Sequence, residues 1–260
     1  MRFHWTLAST PVKDLYFTEG IMRHSLLFSI VFSVSVTVAG LWSSSGKAAD
    51  LATPEKAISA YIDAITHEDF KAVIAATAVE RMSAQFDFVA SVNRLQMLSA
   101  SYPMPPSDPL FVDLNRAKFA SQISQQVQLL IYSLMTTRDF VSSSTVRVDA
   151  AGVSDFVNSL RADRLKGLSL VKVGIPNPGI MNNKAHQANM ALLAASNGAD
   201  EMTERVALVS FEGSQYAIGF TALRYGNDWA ILSQTSLAAA TIGLGGPKRI
   251  SSAGFDDMLR

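Results

Sequence analysis

RVALVSFEGSQYAIGFTALRYGNDWAILSQT, residues 205 to 235, decides the fold. Valine, isoleucine, threonine and aromatic side chains crowd this stretch, and such residues suit a pleated, half-buried surface. Three strands are predicted, over 205–211, 215–225 and 229–235. Gly213-Ser214 and Gly226-Asn227-Asp228 separate them, and glycine and asparagine reach the positive φ values that tight hairpins need. The product is a meander of long antiparallel strands. Tyr216, Ile218 and Phe220 share one face of the middle strand by the period-two rule. That face is the predicted lining of a ligand pocket, and a plain hydrophobic core is the competing reading.

Working outward, the chain before the meander is mostly helical. Thr53-Pro54 opens a helix with a hydroxyl cap and a proline whose missing N–H costs nothing there. Ala57, Ile58, Tyr61, Ile62 and Ile65 follow at helical spacing. The break His67-Glu68-Asp69 lets Asp69 cap a second helix with Phe70, Val73 and Ile74 as its apolar face. Phe86, Val89, Val92 and Leu95 continue a similar pattern to about residue 99. Pro103, Pro105, Pro106 and Pro109 exclude helix from most of 102–110. A long helix is predicted over 113–136, with Phe119, Ile123, Val127, Leu130, Ile131 and Leu134 on one side. Gln122, Gln125, Gln126 and Gln128 lie largely elsewhere and are expected to coat a solvated face. A short strand at 145–148, a helix at 153–164 and a strand at 168–175, ended by Pro176 and Pro178, lead to a helix at 184–196 stopped by Asn197-Gly198. After Leu237 the chain turns small and glycine-rich, so 241–260 are expected to form a flexible tail.

Two stretches carry a resemblance to a known family. Pro54-Glu55-Lys56-Ala57-Ile58-Ser59-Ala60-Tyr61-Ile62-Asp63-Ala64-Ile65, followed by His67-Glu68-Asp69-Phe70, resembles the opening helix and acidic turn of NTF2-like (cystatin-like α+β) domains. Leu223-Arg224-Tyr225-Gly226-Asn227-Asp228-Trp229-Ala230-Ile231 is similar to their last hairpin. The resemblance implies an α+β fold in which N-terminal helices pack on a curved antiparallel sheet, an NTF2-like cone enclosing an apolar pocket. The proline-rich break, the 113–136 helix and residues 176–204 would be insertions in it. It also implies that the pocket binds small apolar ligands or hosts acid–base chemistry from a carboxylate or histidine.

The first 48 residues read as a targeting segment. Arg23 and His24 precede seventeen uncharged residues, 26–42, and Ser43 to Ala49 supply the small residues of a cleavage site. Cleavage after Ala48 is expected, with the working start at Met22 and a mature single domain at 49–240. The competing fate is a retained single-pass anchor at 26–42, although a membrane span usually takes roughly 20 apolar residues. Either way the chain is expected to be exported, periplasmic or secreted, or held at the membrane.

The chain has no cysteine, which removes disulfides, thiolate zinc sites and thiol nucleophiles. Of its 22 basic and 22 acidic side chains, Arg2, Lys13, Arg23, Lys47, Asp14 and Glu19 precede Ala49, which leaves 18 against 20. A slightly acidic domain without a basic cluster does not suit nucleic acid or an anionic membrane surface; membrane contact is expected only if the leader is retained.

Catalytic patterns are missing too: GxSxG, GxxxxGK[ST], HExxH and EF-hand spacings do not occur. His67 sits in an exposed-looking turn. His186 lacks an HxH or HxxxH partner, so a solvated or structural role is expected. Asp155, Asp163, Arg161 and Arg164 are expected to form surface ion pairs. Gly243-Leu244-Gly245-Gly246 has no helix of ordinary length after it and reads as a linker. The expectation is an exported non-catalytic domain that binds a small apolar ligand or another envelope protein through Tyr216, Ile218 and Phe220, with no cofactor, metal or catalytic residue assigned. The alternatives are a cofactor-independent isomerase or lyase using a buried carboxylate, and a membrane-anchored structural or interaction protein.

Overall fold

The computed structural model describes residues 51–260 apart from 137, 139, 141–144 and 242–244. The leader, its cleavage at Ala48, the anchor at 26–42 and the start at Met22 lie outside the described residues.

The meander forms as its turns dictate. Strands β2 (Glu201–Phe211), β3 (Ser214–Tyr225) and β4 (Asp228–Ser233) pair antiparallel in sequence order, and β1 (Leu168–Gly174) adds to the other side of β2. Val209 faces Tyr216, Ala207 faces Ile218, and Arg205 faces Phe220. A one-residue slip would turn each apolar set to the opposite face, so burial on this sheet fixes the register. Register shifts at Leu170/Lys172 and Thr221/Ala222 bend and twist the strands, giving a curved sheet.

Helices cover the first face of the sheet. Helix α1 (Pro54–Thr66) starts where Thr53 Oγ1 accepts from Lys56 N. It buries Ile58, Tyr61 and Ile62 completely among Ile218, Phe220 and Ile231. The interior of the expected cone is therefore filled by α1. Short helices α2 (Phe70–Ala75) and α3 (Val79–Gln85) follow, and the chain between them runs along the outer edge of β4, with Ala78 N donating to Ile231 O at 2.8 Å. Covering that edge removes a site for unwanted strand pairing. Helix α4 (Phe88–Leu95) ends at Gln96, whose φ of 52° stops it before residue 99. Helix α5 (Pro109–Met135) starts at a proline in the N1 position, four residues earlier than its periodicity suggests, and buries Phe119, Ile123, Val127, Leu130 and Leu134. Three of its glutamines are exposed, but Gln126 Oε1 accepts from Gln234 N and ties the helix to the chain after β4.

The middle of the chain departs from expectation. Residues 145–148 form no strand, and no strand of the sheet pairs with them. Asp149 caps α6 (Ala150–Ser159), three residues before the expected start, and a separate 3-10 helix spans Ala162–Gly167. After the four-residue helix α7 (Pro178–Met181), α8 (Lys184–Ser196) has its expected bounds, with Asn183 as cap.

A second layer covers the other face of the sheet, and it overturns the flexible tail. Strand β5 (Lys248–Arg249) pairs with β3, and Ser251 caps α9 (Ser252–Met258). Phe255 of α9 is fully buried with Val206, Leu208 and Ala217. One aromatic side chain closing an apolar sheet face anchors this terminus, a signal too short to appear as helical periodicity. Gly219 shows how tightly the layer sits: a Cβ there would meet Ser236 N at 2.8 Å and would collide with Thr241 Oγ1.

Ionisable groups inside the first layer give a measurable consequence. Partial burial alone would raise the Glu55 carboxyl, but Arg205, 2.6 Å away, outweighs that and holds it below its usual value. Desolvation pushes the phenols of Tyr61 and Tyr225 well above the ordinary tyrosine value. Tyr225 Oη donates to Asn197 O at 3.0 Å, while Tyr61 Oη has no hydrogen-bond partner among the described residues. Both groups keep their protons in the folded chain and lose them near pH ~10 when unfolded. Their contribution is thus complete below pH ~10 and is lost as pH rises beyond it. Tyr61→Phe is expected to leave stability at pH 7 unchanged or raise it by about 1 kcal/mol, since it removes a buried unpaired hydroxyl, and to flatten the alkaline loss. Urea midpoints between pH 8 and pH 11 measure both; a large loss at pH 7 would contradict the unpaired hydroxyl.

Candidate functional site

Two cavities and one buried charge pair hold the chemistry of the described residues. The first cavity, about 230 Å³, opens where the end of α1 meets α2, α5 and the 3-10 helix. Ile65, Val73, Val127, Ile131 and Leu165 form its apolar wall. The turn after α1 builds its mouth: Glu68 takes a φ of 60°, Asp69 accepts from Ala72 N at 2.9 Å, and Phe70 is left 44% exposed. Phe70 therefore rims this cavity rather than completing the core. Lys166 Nζ stands 3.8 Å from Glu68 Oε1 across the rim.

The second cavity, about 330 Å³, lies between α8 and the start of β2, and its lining includes Met181, His186, Met190 and Met202. His186 and Met190 are four apart on α8 and share a face. Met202 and Glu204 alternate onto one face of β2. Behind the imidazole sits the pair: His186 Nε2 is 3.4 Å from Glu204 Oε1, with the side chains 9% and 4% exposed. Nε2 makes no hydrogen bond of acceptable geometry, so the two interact through charge when the ring is protonated rather than through a directed bond. Glu204 Oε2 accepts from Ser236 Oγ and, at 2.8 Å, from Ala238 N. Ser236 Oγ in turn accepts from Ala239 N at 3.0 Å. The carboxylate is thereby held by the turn that follows β4. Oε2 is thus committed to two donors of the protein itself.

The residues expected to line a pocket fall elsewhere. Tyr216, Ile218 and Phe220 do share a face of β3, but Ile218 and Phe220 are fully buried in the core and Tyr216 packs against it half-buried. Phe220 meets the Tyr61 ring edge-on at 5.8 Å. Neither cavity described above includes these three. His67 is exposed, its Nδ1 2.7 Å from Asp63 O. Arg161 pairs with Asp163 at 2.6 Å and Arg164 with Glu212 at 2.6 Å, while Asp155 is exposed. His186 is structural in its contact with Glu204 and is not solvated. Glu204 was missed in the sequence because it lies just before the predicted strand at 205–211; β2 starts at Glu201, which puts this carboxylate in register with Val206 and Leu208, where a charge must be paired. Among the described residues no three His, Asp or Glu side chains converge on a metal position, and no helix is long and apolar enough to cross a membrane.

Helices over one face of a curved antiparallel sheet, with a thinner second layer beyond it, define an α+β domain. No family model and no curated protein matches the chain. Among solved structures, a cystatin-like protein from Ruminococcus gnavus ATCC 29149 is similar, with a TM-score of 0.46 and 18% identity over 79% of this chain. The chain spans 42% of the length of that structure.

Proposed function

We propose that this chain is an exported, non-catalytic binding domain of NTF2-like type whose ligand is a small apolar molecule. The observation that carries the reading is the apolar cavity between α1, α2, α5 and the 3-10 helix, with Phe70 exposed at its mouth. Its volume falls between the roughly 150 Å³ that holds benzene and the roughly 300 Å³ at which drug-sized ligand sites begin. A single ring or a short branched chain matches that space. The acidic rim at Glu68 and Asp69 disfavours an anion. A non-catalytic role is supported by Glu204: a general base must reach its substrate's proton, and both oxygens of this carboxylate face a hydroxyl, an amide and an imidazole instead.

Toluene titrated into labelled protein and followed by amide NMR tests the site. Shifts are expected at Val73, Ile131 and Leu165, and Val127→Trp, which fills the space, is expected to remove them. Shifts that survive Val127→Trp, or none up to the solubility limit, would refute the cavity as the site. Native mass spectrometry of protein from its own source reports the natural occupant. A co-purifying small mass supports this reading, whereas a co-purifying protein would favour an envelope partner, for which exposed Met97, Leu98, Leu110 and Leu114 offer an apolar surface. Export rests on the leader, and an intact mass of the exported fraction checks it. A species still carrying 26–42 would mean an anchored protein.

A further inference from the structure

The second cavity has a donor set of a different kind. Three of the eight methionines from Leu51 onward, Met181, Met190 and Met202, line it together with His186. They arrive from three elements, the end of α7, α8 and the first turn of β2, so no single periodicity explains the gathering. Met190 is buried, and Met181 and Met202 are half-buried beside it. Thioether sulfur is a soft, uncharged donor that selects Cu(I) among biological metals, whereas structural zinc takes thiolate, imidazole and carboxylate. In a chain without cysteine, methionine is the available soft ligand.

The imidazole stands beside a buried carboxylate, though without a directed hydrogen bond to it. Metal-binding histidines characteristically direct one ring nitrogen at a carboxylate, which fixes the ring and raises the basicity of the other nitrogen. Here Nε2 is sealed in the protein 3.4 Å from Glu204 Oε1, and Glu204 is itself fixed by Ser236 Oγ and Ala238 N. Nδ1 has no partner among the described residues. The imidazole and three thioethers line the same space. Asp200 and Glu201 stand on the lining as well, each within ion-pair distance of Arg224, at 4.0 and 3.0 Å. They are engaged with that cation and are not counted as ligands.

We infer that the cavity between α8 and β2 is a Cu(I) site, with Met181, Met190, Met202 and His186 as ligands and Glu204 as the positioning residue behind the imidazole. Binding forms no covalent product and transfers no electron. It is independent of the apolar cavity, which shares no lining residue with this one.

The test titrates the full chain with Ag(I), a redox-inert stand-in, and with ascorbate-reduced Cu(I), in chloride-free buffer, following heat and thermal midpoint. One equivalent is expected to bind and raise the midpoint. The double variant Met190→Leu/Met202→Leu conserves volume and should fold, and its affinity is expected to fall by about tenfold or more. Met97→Leu/Met104→Leu, remote from the cavity lining, should bind as the parent does. X-ray absorption on the copper-loaded chain should show sulfur and nitrogen neighbours. The inference is overturned if no saturable site appears, if the cavity variant binds unchanged, if the remote variant loses as much, or if Zn(II) binds more tightly than Ag(I).

Discussion

Glu204→Ala is expected to destabilise the fold by about 2–5 kcal/mol, since two buried donors lose their acceptor at about 1–3 kcal/mol each. The carboxylate is almost completely buried and receives Ser236 Oγ and Ala238 N, with the His186 imidazole on its remaining side. Truncation leaves a hydroxyl and an amide N–H without an acceptor, in a place water reaches poorly. The loss of an acceptor for buried donors costs more than a typical hydrogen bond contributes. Glu204→Gln separates the two parts of the effect, because it retains an acceptor oxygen and the side-chain shape while removing the charge. It should cost clearly less than the alanine variant. Urea unfolding at pH 7 measures both, and an alanine variant within about 1 kcal/mol of the parent would mean the pair is not closed in solution.

That interaction was illegible in the sequence for a physical reason. Period-two alternation places Glu204 with Val206 and Leu208, but burial depends on what covers that face. The cover comes from α8, from the turn at Ser236–Thr241 and from α9, segments on both sides of β2 in the chain. None of these announces where it will pack. The meander, by contrast, was legible because local signals agree: alternating apolar residues set the strands, and Gly213 and Gly226, with φ of 78° and 64°, set the turns. Helix α8 was legible for the same reason, since Asn197-Gly198 stop it. Gly198 also fits closely, as a Cβ there would meet Gln85 O at 2.1 Å. Residues 145–148 show the opposite case, where strand propensity without a partner edge yields no strand.

The proposed ligand site divides along the same line. Phe70 was correctly placed on the apolar face of α2, yet only the approach of α5 and the 3-10 helix makes that face the wall of a cavity. For Phe220, one-face alternation was right and its meaning was not, because an apolar strand face looks the same in sequence whether α1 fills it or a ligand does. Phe220→Ala and Phe70→Ala therefore make a paired experiment. Phe220 is fully buried against Tyr61, and its truncation removes both transfer energy and packing, with an expected loss of about 3–5 kcal/mol. Toluene binding at the remote cavity should persist in whatever fraction remains folded. Phe70→Ala removes a side chain at the cavity mouth, so stability should change by less than about 1 kcal/mol while toluene binding weakens severalfold. The two variants move different observables because one ring supports the fold and the other borders the proposed site. If Phe220→Ala left the unfolding midpoint unchanged and abolished toluene binding, β3 would line the pocket after all, and α1 would have to leave the sheet face for that to happen.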